Sequence, residues 1–431
     1  MSNPRGGAQA CVKMSFVDGP DADKDFGKHV ISMRFAAALS GGYTISGKIA
    51  APAYNIIGDT IENQYLKRAR REPVKMRFQL LQDVNGQFPE TATRTQEVIV
   101  THLQGHGGAP DVGYFEFVAI DPPSWYLNNG DASGGVFKGR VDQVIKQVIQ
   151  KYAPSVKAEV SKAVGSEEMK WWMMRMDPQT FITHLMSLSA PLTLKKTQYL
   201  VGIDGYSIDI KEQASIKSTQ RGYYRYMVDK DHDTIKRWQL LADNSTSLSQ
   251  HKLVTSGMST LSGEYYDRTT DTKENQVVVS DKTTEAKQTA RTKDTQSFSK
   301  PGDGKSEVAG ATSIISIPEL YSAGDIGIPY KEYISAYARG LWLDTIYNLQ
   351  RLSLTITGHG EWCDSKGLGV DTAFLQWSKG VTDSDSNRYT WLTGSWIIYG
   401  FTHFYDRKGW DTVLNCARYD HDANSVKVGG S

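Results

Sequence analysis

At 431 residues the chain is long for one hydrophobic core and comfortable for two to four domains. Its 49 basic and 48 acidic residues balance to a formal charge of +1, which excludes a global field drawing it to nucleic acid or an anionic membrane. Cys11, Cys363 and Cys416 lie far apart with no C-x-x-C pair, which argues against a disulfide framework or zinc site and fits a reducing compartment. Aromatic residues make up 10% of the chain, with 22 Tyr and 10 Trp, enough for folded cores and a surplus suited to protein interfaces. The first residues lack an apolar leader, and no run approaches the roughly 18 apolar residues of a membrane span. The expectation is a soluble, intracellularly made, multidomain protein.

Residues 1–28 are rich in Gly, Asp and Ala and read as an N-terminal arm. From His29 to Asp121 the pattern is that of strands: Val30–Phe35, Tyr43–Ser46, Val74–Leu80, Val98–Val100 and Tyr114–Ile120. Val74, Met76, Phe78 and Leu80 alternate with Lys75, Arg77 and Gln79, the period of a half-buried strand. Polar, Gly- and Pro-containing loops separate these runs, so 29–121 reads as an all-β domain that Asp121-Pro-Pro123 closes.

The period then changes. Val141, Val144, Ile145, Val148, Ile149 and Tyr152 form one stripe of an amphipathic helix ending near Pro154. Asp177 followed by Pro178 is a helix start, since proline lacks only an N–H the first turn could not use; Phe181, Ile182, Leu185 and Met186 supply its buried stripe. Tyr199–Ile203 and Tyr206–Ile210 read as strands paired around Asp204-Gly205, making 122–212 a small α/β unit. A connecting segment, 213–240, leads to 241–328, whose first 70 or so residues are dominated by Ser, Thr, Lys, Asp and Gln. Two readings stay open there: a flexible insertion, or solvated β-ribbons built on runs such as Gln276–Ser280. Pro301–Gly304 is a turn or hinge in either case. Tyr330–Arg339 reads as a helix running on toward Gln350, and Leu352–Thr357 and Phe374–Trp377 as strands of a second β unit, 329–422, before a short tail, 423–431.

That unit contains the most informative stretch. Thr390–Tyr405, then Asp406-Arg-Lys-Gly409, then Trp410–Tyr419 has the grammar of a β-hairpin. Strict alternation along its first strand puts Trp396, Ile398 and Phe404 on one face and Ile397, Tyr399 and Phe401 on the other. A strand covered by its own fold alone usually has one polar face, so two apolar faces point to packing inside on one side and against another chain on the other. Trp396, Ile398, Tyr399, Phe401, Phe404 and Trp410 are therefore candidate protein-interface residues. Lys67, Arg68, Arg70 and Arg71 form the one dense basic cluster and are candidates for electrostatic contact with phosphate or an acidic neighbour, against the plainer reading of a solvated loop.

Catalytic and metal motifs are incomplete. Gly302–Ser306 resembles the end of a phosphate loop, but Ser299 stands where its first glycine belongs. His102 and His106 are four apart in what reads as a loop, without the glutamate of a zinc protease. Asp383–Asn387 mimics the start of a calcium loop but has Arg388 at the turn position and reads as a hairpin tip. No nucleophile elbow or Cys/His frame is present, and no cofactor or metal is expected. Two classes stay open beside a purely structural role: a cell-wall hydrolase whose acid/base pair hides among scattered carboxylates, and a receptor- or carbohydrate-binding β protein.

Three stretches in order resemble the central hub proteins of bacteriophage tail baseplates, the late-control-protein-D group, which are similar to the hub part of type VI secretion spike proteins. They are Trp172–Leu185, Arg351–Gly358, and Gly394–Phe404 with Thr412–Arg418. The resemblance implies a mainly β fold with α+β parts: two tube-like antiparallel β-barrel domains, 29–121 and 329–422, an intervening small α/β domain and a polar insertion. It implies a homotrimeric ring of pseudo-sixfold symmetry, with tail tube protein, central spike protein and other baseplate proteins as partners. Genome DNA would pass through without sequence reading, no catalysis would occur, and the site would be the virion tail baseplate after assembly in the host cytoplasm. A contractile tail is the preferred setting.

Overall fold

The computed structural model describes residues 10–19, 22–50, 73–82, 95–106, 113–130, 134–161, 169–188, 199–212, 216–226, 235–241, 261–267, 272–278, 314–316, 351–358, 360–377, 392–406 and 409–418. The basic cluster Lys67, Arg68, Arg70 and Arg71, the helix read at 330–350, the turn at 301–304 and the hairpin tip at 383–387 lie outside the described residues.

The N-terminal β unit is built from β1 (Ala10–Phe16), β2 (Val30–Ala38), β3 (Tyr43–Ala50), β4 (Lys75–Gln82), β5 (Gln96–His106) and β6 (Tyr114–Ile120). The expectation of an arm over residues 1–28 is corrected by β1, which pairs antiparallel with β4 from Ala10↔Gln82 to Phe16↔Met76. Val12, Met14 and Phe16 are buried while their neighbours are not, the alternation of a half-buried strand that the flanking Gly- and Asp-rich residues mask. Asp25 ties it down, accepting from the Met14 and Gly27 amides at 3.0 and 2.8 Å.

Asp121-Pro-Pro123 does not merely end a strand. It starts helix α1 (Pro122–Asn128), with Asp121 as N-cap accepting from the Ser124 amide at 2.7 Å. The rest of the unit comprises β7 (Gly135–Gly139), α2 (Val141–Tyr152), β8 (Lys157–Val160), β9 (Met169–Met173), α3 (Pro178–Leu188), β10 (Tyr199–Asp204) and β11 (Ser207–Glu212). Both helices lie where the periodicity predicts, and Asp177 caps α3 through the Thr180 amide at 2.8 Å. The expected hairpin around Asp204-Gly205 forms, with Gly205 at φ +54°.

The last β unit takes β12 (Gln220–Tyr226) and β13 (Ile235–Leu241) from the connecting segment. Within the polar stretch, β14 (Leu261–Asp267), β15 (Thr272–Val278) and β16 (Ile314–Ser316) pair into a three-stranded ribbon. The unit ends with β17 (Arg351–Thr357), β18 (Thr372–Trp377), β19 (Gly394–Asp406) and β20 (Gly409–Arg418).

The two β units are one sheet. Twelve strands run in the order β1-β4-β5-β6-β3-β2-β19-β20-β17-β13, with β18 joining β12 to β19. The seam is the antiparallel pairing of β2 with β19, from Gly400↔Ala38 to Asp406↔Ser32. The hairpin, expected to pack one face against another chain, is therefore near the middle of the sheet, and its strand neighbour on one side is the chain's own N-terminal unit.

Candidate functional site: the wet face of the twelve-stranded sheet

A bulge sets which side chains of β19 meet solvent. Its register on β20 shifts between Ile398↔Cys416 and Gly400↔Asn415, leaving Tyr399 as the extra residue. Alternation inverts there. Trp396, Ile398, Phe401 and His403 share one face, while Ile397, Thr402, Phe404 and Asp406 share the other. Strict alternation had placed Phe404 with Trp396, and Phe401 with Tyr399; the bulge corrects both. The apparent second apolar face is largely this phase shift, and Ile397, which keeps its partner Thr372 on β18, is covered within the chain.

Among the six interface candidates, Trp396, Ile398, Phe401 and Trp410 are at most 1% exposed and belong to this chain's own core. Tyr399 is half-buried beneath the Arg351 guanidinium, and Phe404 is 46% exposed. Only these two are at the surface.

The core face is pinned by a histidine that the sequence pattern did not single out. Trp410 Nε1 donates to His403 Nδ1 at 3.0 Å, so that nitrogen is an acceptor and the proton sits on Nε2. Nε2 then donates to the Trp362 carbonyl, and Thr412 Oγ1 lies 2.8 Å from Nδ1. One neutral ring thus links β19, β20 and the loop before β18. Gly358 makes the space: a Cβ there would stand 2.1 Å from the Trp410 ring. Gln96 connects the same loop to the other units, its amide donating to the Cys363 carbonyl at 2.9 Å and to Asp204 Oδ1 at 3.0 Å, while Tyr43 donates to its oxygen at 3.0 Å.

The opposite face is wet and continuous. One register row runs His102, Val118, Ser46, Arg34, Phe404, Asp411, crossing β5, β6, β3, β2, β19 and β20. The adjacent row carries Gln104, Glu116, Lys48, Ser32 and Asp406. With Thr355 and Lys236 from β17 and β13, these residues other than Gln104 line a cleft of about 1140 Å³. His102, read as a loop residue, is on β5; His106 lies further along it, stacked on Tyr114 at 4.7 Å.

Charges on this face are mixed and mostly paired. Lys48 Nζ is 2.7 Å from Glu116, whose carboxyl that bond holds below the usual carboxylate range. Lys236 pairs with Asp411, and Asp406 accepts from the Gly409 amide at 3.1 Å. The Arg34 guanidinium lies 5.7 Å from the centre of the Phe404 ring. Arg34, Lys48, Lys236 and Arg237 stand against Glu116, Asp406 and Asp411, leaving a small cationic excess. Such a surface holds water, and its charges largely neutralise one another. Among the described residues no three His, Cys, Asp or Glu side chains converge as a metal site.

Two solved structures share this architecture end to end. The tail protein from Neisseria meningitidis MC58 is 11% identical, with a TM-score of 0.55 over 96% of this chain and 99% of its own. The 43 kDa tail protein of prophage MuSo2 from Shewanella oneidensis is 12% identical, with a TM-score of 0.51 over 95% and 98%. No protein-family model and no curated protein sequence matches the chain. At this identity the likeness is one of fold: the chain has the mainly β fold of these tail proteins, over nearly the whole length of each.

Proposed function

We propose that this chain is the structural hub of a bacteriophage tail baseplate. Three copies form a ring of pseudo-sixfold symmetry that joins the sixfold tail tube to a threefold central spike and surrounds the passage through which DNA leaves. The observation that carries this reading is the β2–β19 seam, which merges the N-terminal and C-terminal β units into a single sheet with a mainly polar solvent-facing cleft. Two β units per chain give six in a trimer, enough to match a sixfold tube. The wet face, with its paired charges, suits the wall of a passage: a strongly basic lining would bind the phosphate backbone and stall it. The tail tube, spike and other baseplate proteins are then the partners, in the virion, and the chain works without catalysis. Of the interface candidates Tyr399 retains surface for a neighbour, while Phe404 sits on the wet face and would line the passage.

Mass photometry of the purified chain tests the assembly. The expected species has three times the protomer mass, alone or after addition of tube or spike protein. A protein that stays monomeric with both partners present overturns the proposal.

A further inference from the structure

The cleft on the wet face distributes its charge pairs unevenly. Lys48 is neutralised by Glu116 and Lys236 by Asp411. Arg34 and Arg237 are exposed, line the same cleft, and have no carboxylate in ion-pair reach among the described residues. Arg34 is on β2 and Arg237 on β13, with β19, β20 and β17 between them. Four strand-to-strand steps of about 4.8 Å separate them by about 19 Å along the sheet. A small anion cannot bridge that span; an extended polyanion can.

An aromatic ring stands on the path between the two arginines. Phe404 of β19 is the cross-strand partner of Arg34, whose guanidinium lies 5.7 Å from the ring centre, and it remains 46% exposed. On its other side its partner is Asp411, so no apolar neighbour in this register row shields it there. An exposed ring in a groove with free cations is a surface on which a flat π-system stacks. Unpaired nucleobases are flat π-systems carried on a polyanion, whereas a duplex hides its base faces within the stack. Arginine also suits phosphate better than lysine does, since its planar fork donates two parallel hydrogen bonds.

We propose that the cleft binds single-stranded nucleic acid across its strands, with a base stacked on Phe404 and backbone phosphates on Arg34 and Arg237. Two free cations per chain make the hold weak and easily released by salt, so a passage lined by this face stays open to DNA. The site is complete within one chain. It goes beyond the hub reading and needs no ring.

The test is fluorescence anisotropy of the full-length chain with a labelled oligothymidine of about 15 nucleotides and with a duplex of the same length. The single strand is expected to bind at least about fivefold more tightly than the duplex, although charge density alone favours the duplex. Its log K is expected to fall with log salt at a slope of about −1.4, from two phosphate contacts at about −0.7 each. The Arg34→Gln/Arg237→Gln double variant is expected to lose at least about tenfold at low salt and to flatten the slope. Phe404→Leu is expected to weaken binding at least about fivefold with the slope unchanged, and Phe404→Tyr, which keeps the ring, to bind as the unaltered chain does. Circular dichroism verifies that each variant is folded. No binding at low salt, a preference for duplex, or indifference to Phe404→Leu overturns the proposal. So does displacement of the strand by polyglutamate as readily as by unlabelled oligothymidine, which would make the cleft a site for an acidic protein segment. A monomer that binds the strand overturns the ring and supports this site, so the two measurements fail separately.

Discussion

Phe35 and His403 stack across the β2–β19 seam, register partners with ring centres 5.6 Å apart and planes 28° from parallel. Phe35 also meets Phe78 and Phe401 edge-on at 5.3 and 5.4 Å, so the seam is closed by aromatic packing from both halves of the chain.

His403→Leu removes the acceptor for Trp410 Nε1 and the donor for the Trp362 carbonyl, leaving both polar groups buried. The expected cost is about 3 kcal/mol of unfolding free energy, read by denaturant titration. A loss below about 0.5 kcal/mol would show that the ring acts as apolar filling only.

Phe401 and Phe404 should behave oppositely. Phe401→Asp places a charge in the core and is expected to cost at least about 4 kcal/mol or abolish folding. Phe404→Asp, on the wet face beside Arg34, is expected to stay within about 1 kcal/mol of the unaltered chain. The reverse order in thermal unfolding would contradict the bulge at Tyr399, because strict alternation puts Phe404 with Trp396 and Phe401 on the other face.

This pair also shows where sequence reading stopped. The helices α2 and α3 were legible because a 3.6-residue period and a Pro-marked cap are local signals. The hairpin was legible from its aromatic runs and polar turn. Its facing was not, since one extra residue inverts the alternation, and the mark it leaves in Trp396–Phe404 is a single glycine, Gly400, beside the bulge. Nor was the seam legible: the partners of β19 lie at the far end of the chain, and pairing of that kind leaves no pattern in either strand alone. Hence the apolar second face was assigned to a neighbouring chain when most of the covering came from within. His403 could have been found as the one imidazole in an otherwise apolar run, a position that demands buried hydrogen-bond partners.

Asp121 should make stability depend on pH. Burial raises its carboxyl to about 6, from 3.8, outweighing the hydrogen bonds from the Ser124 and Tyr43 amides that favour the charged form. The folded state therefore holds this proton more tightly than the unfolded chain does. Its contribution is full below pH 3.8 and is lost as pH rises through about 6, a change on the order of 3 kcal/mol. Asp121→Asn keeps a capping side chain and is expected to flatten that part of the profile. Carbon-detected NMR titration gives the direct check, and a carboxyl titrating near 4 would refute it.

Gly358→Ala is expected to destabilise by about 1–3 kcal/mol, because the added methyl meets the Trp410 ring. Urea unfolding measures it, and an unchanged midpoint would mean that Trp410 moves freely, against its tight hold on His403.

In the proposed assembly both β units of each chain build one ring with the wet face inward. Electron-microscopic class averages of the purified assembly test it most directly. The account expects an annulus with threefold symmetry and six similar lobes around an open lumen, with a label at Ser46 appearing inside it. Monomers, an assembly without a lumen, or a label on the outer rim would contradict it.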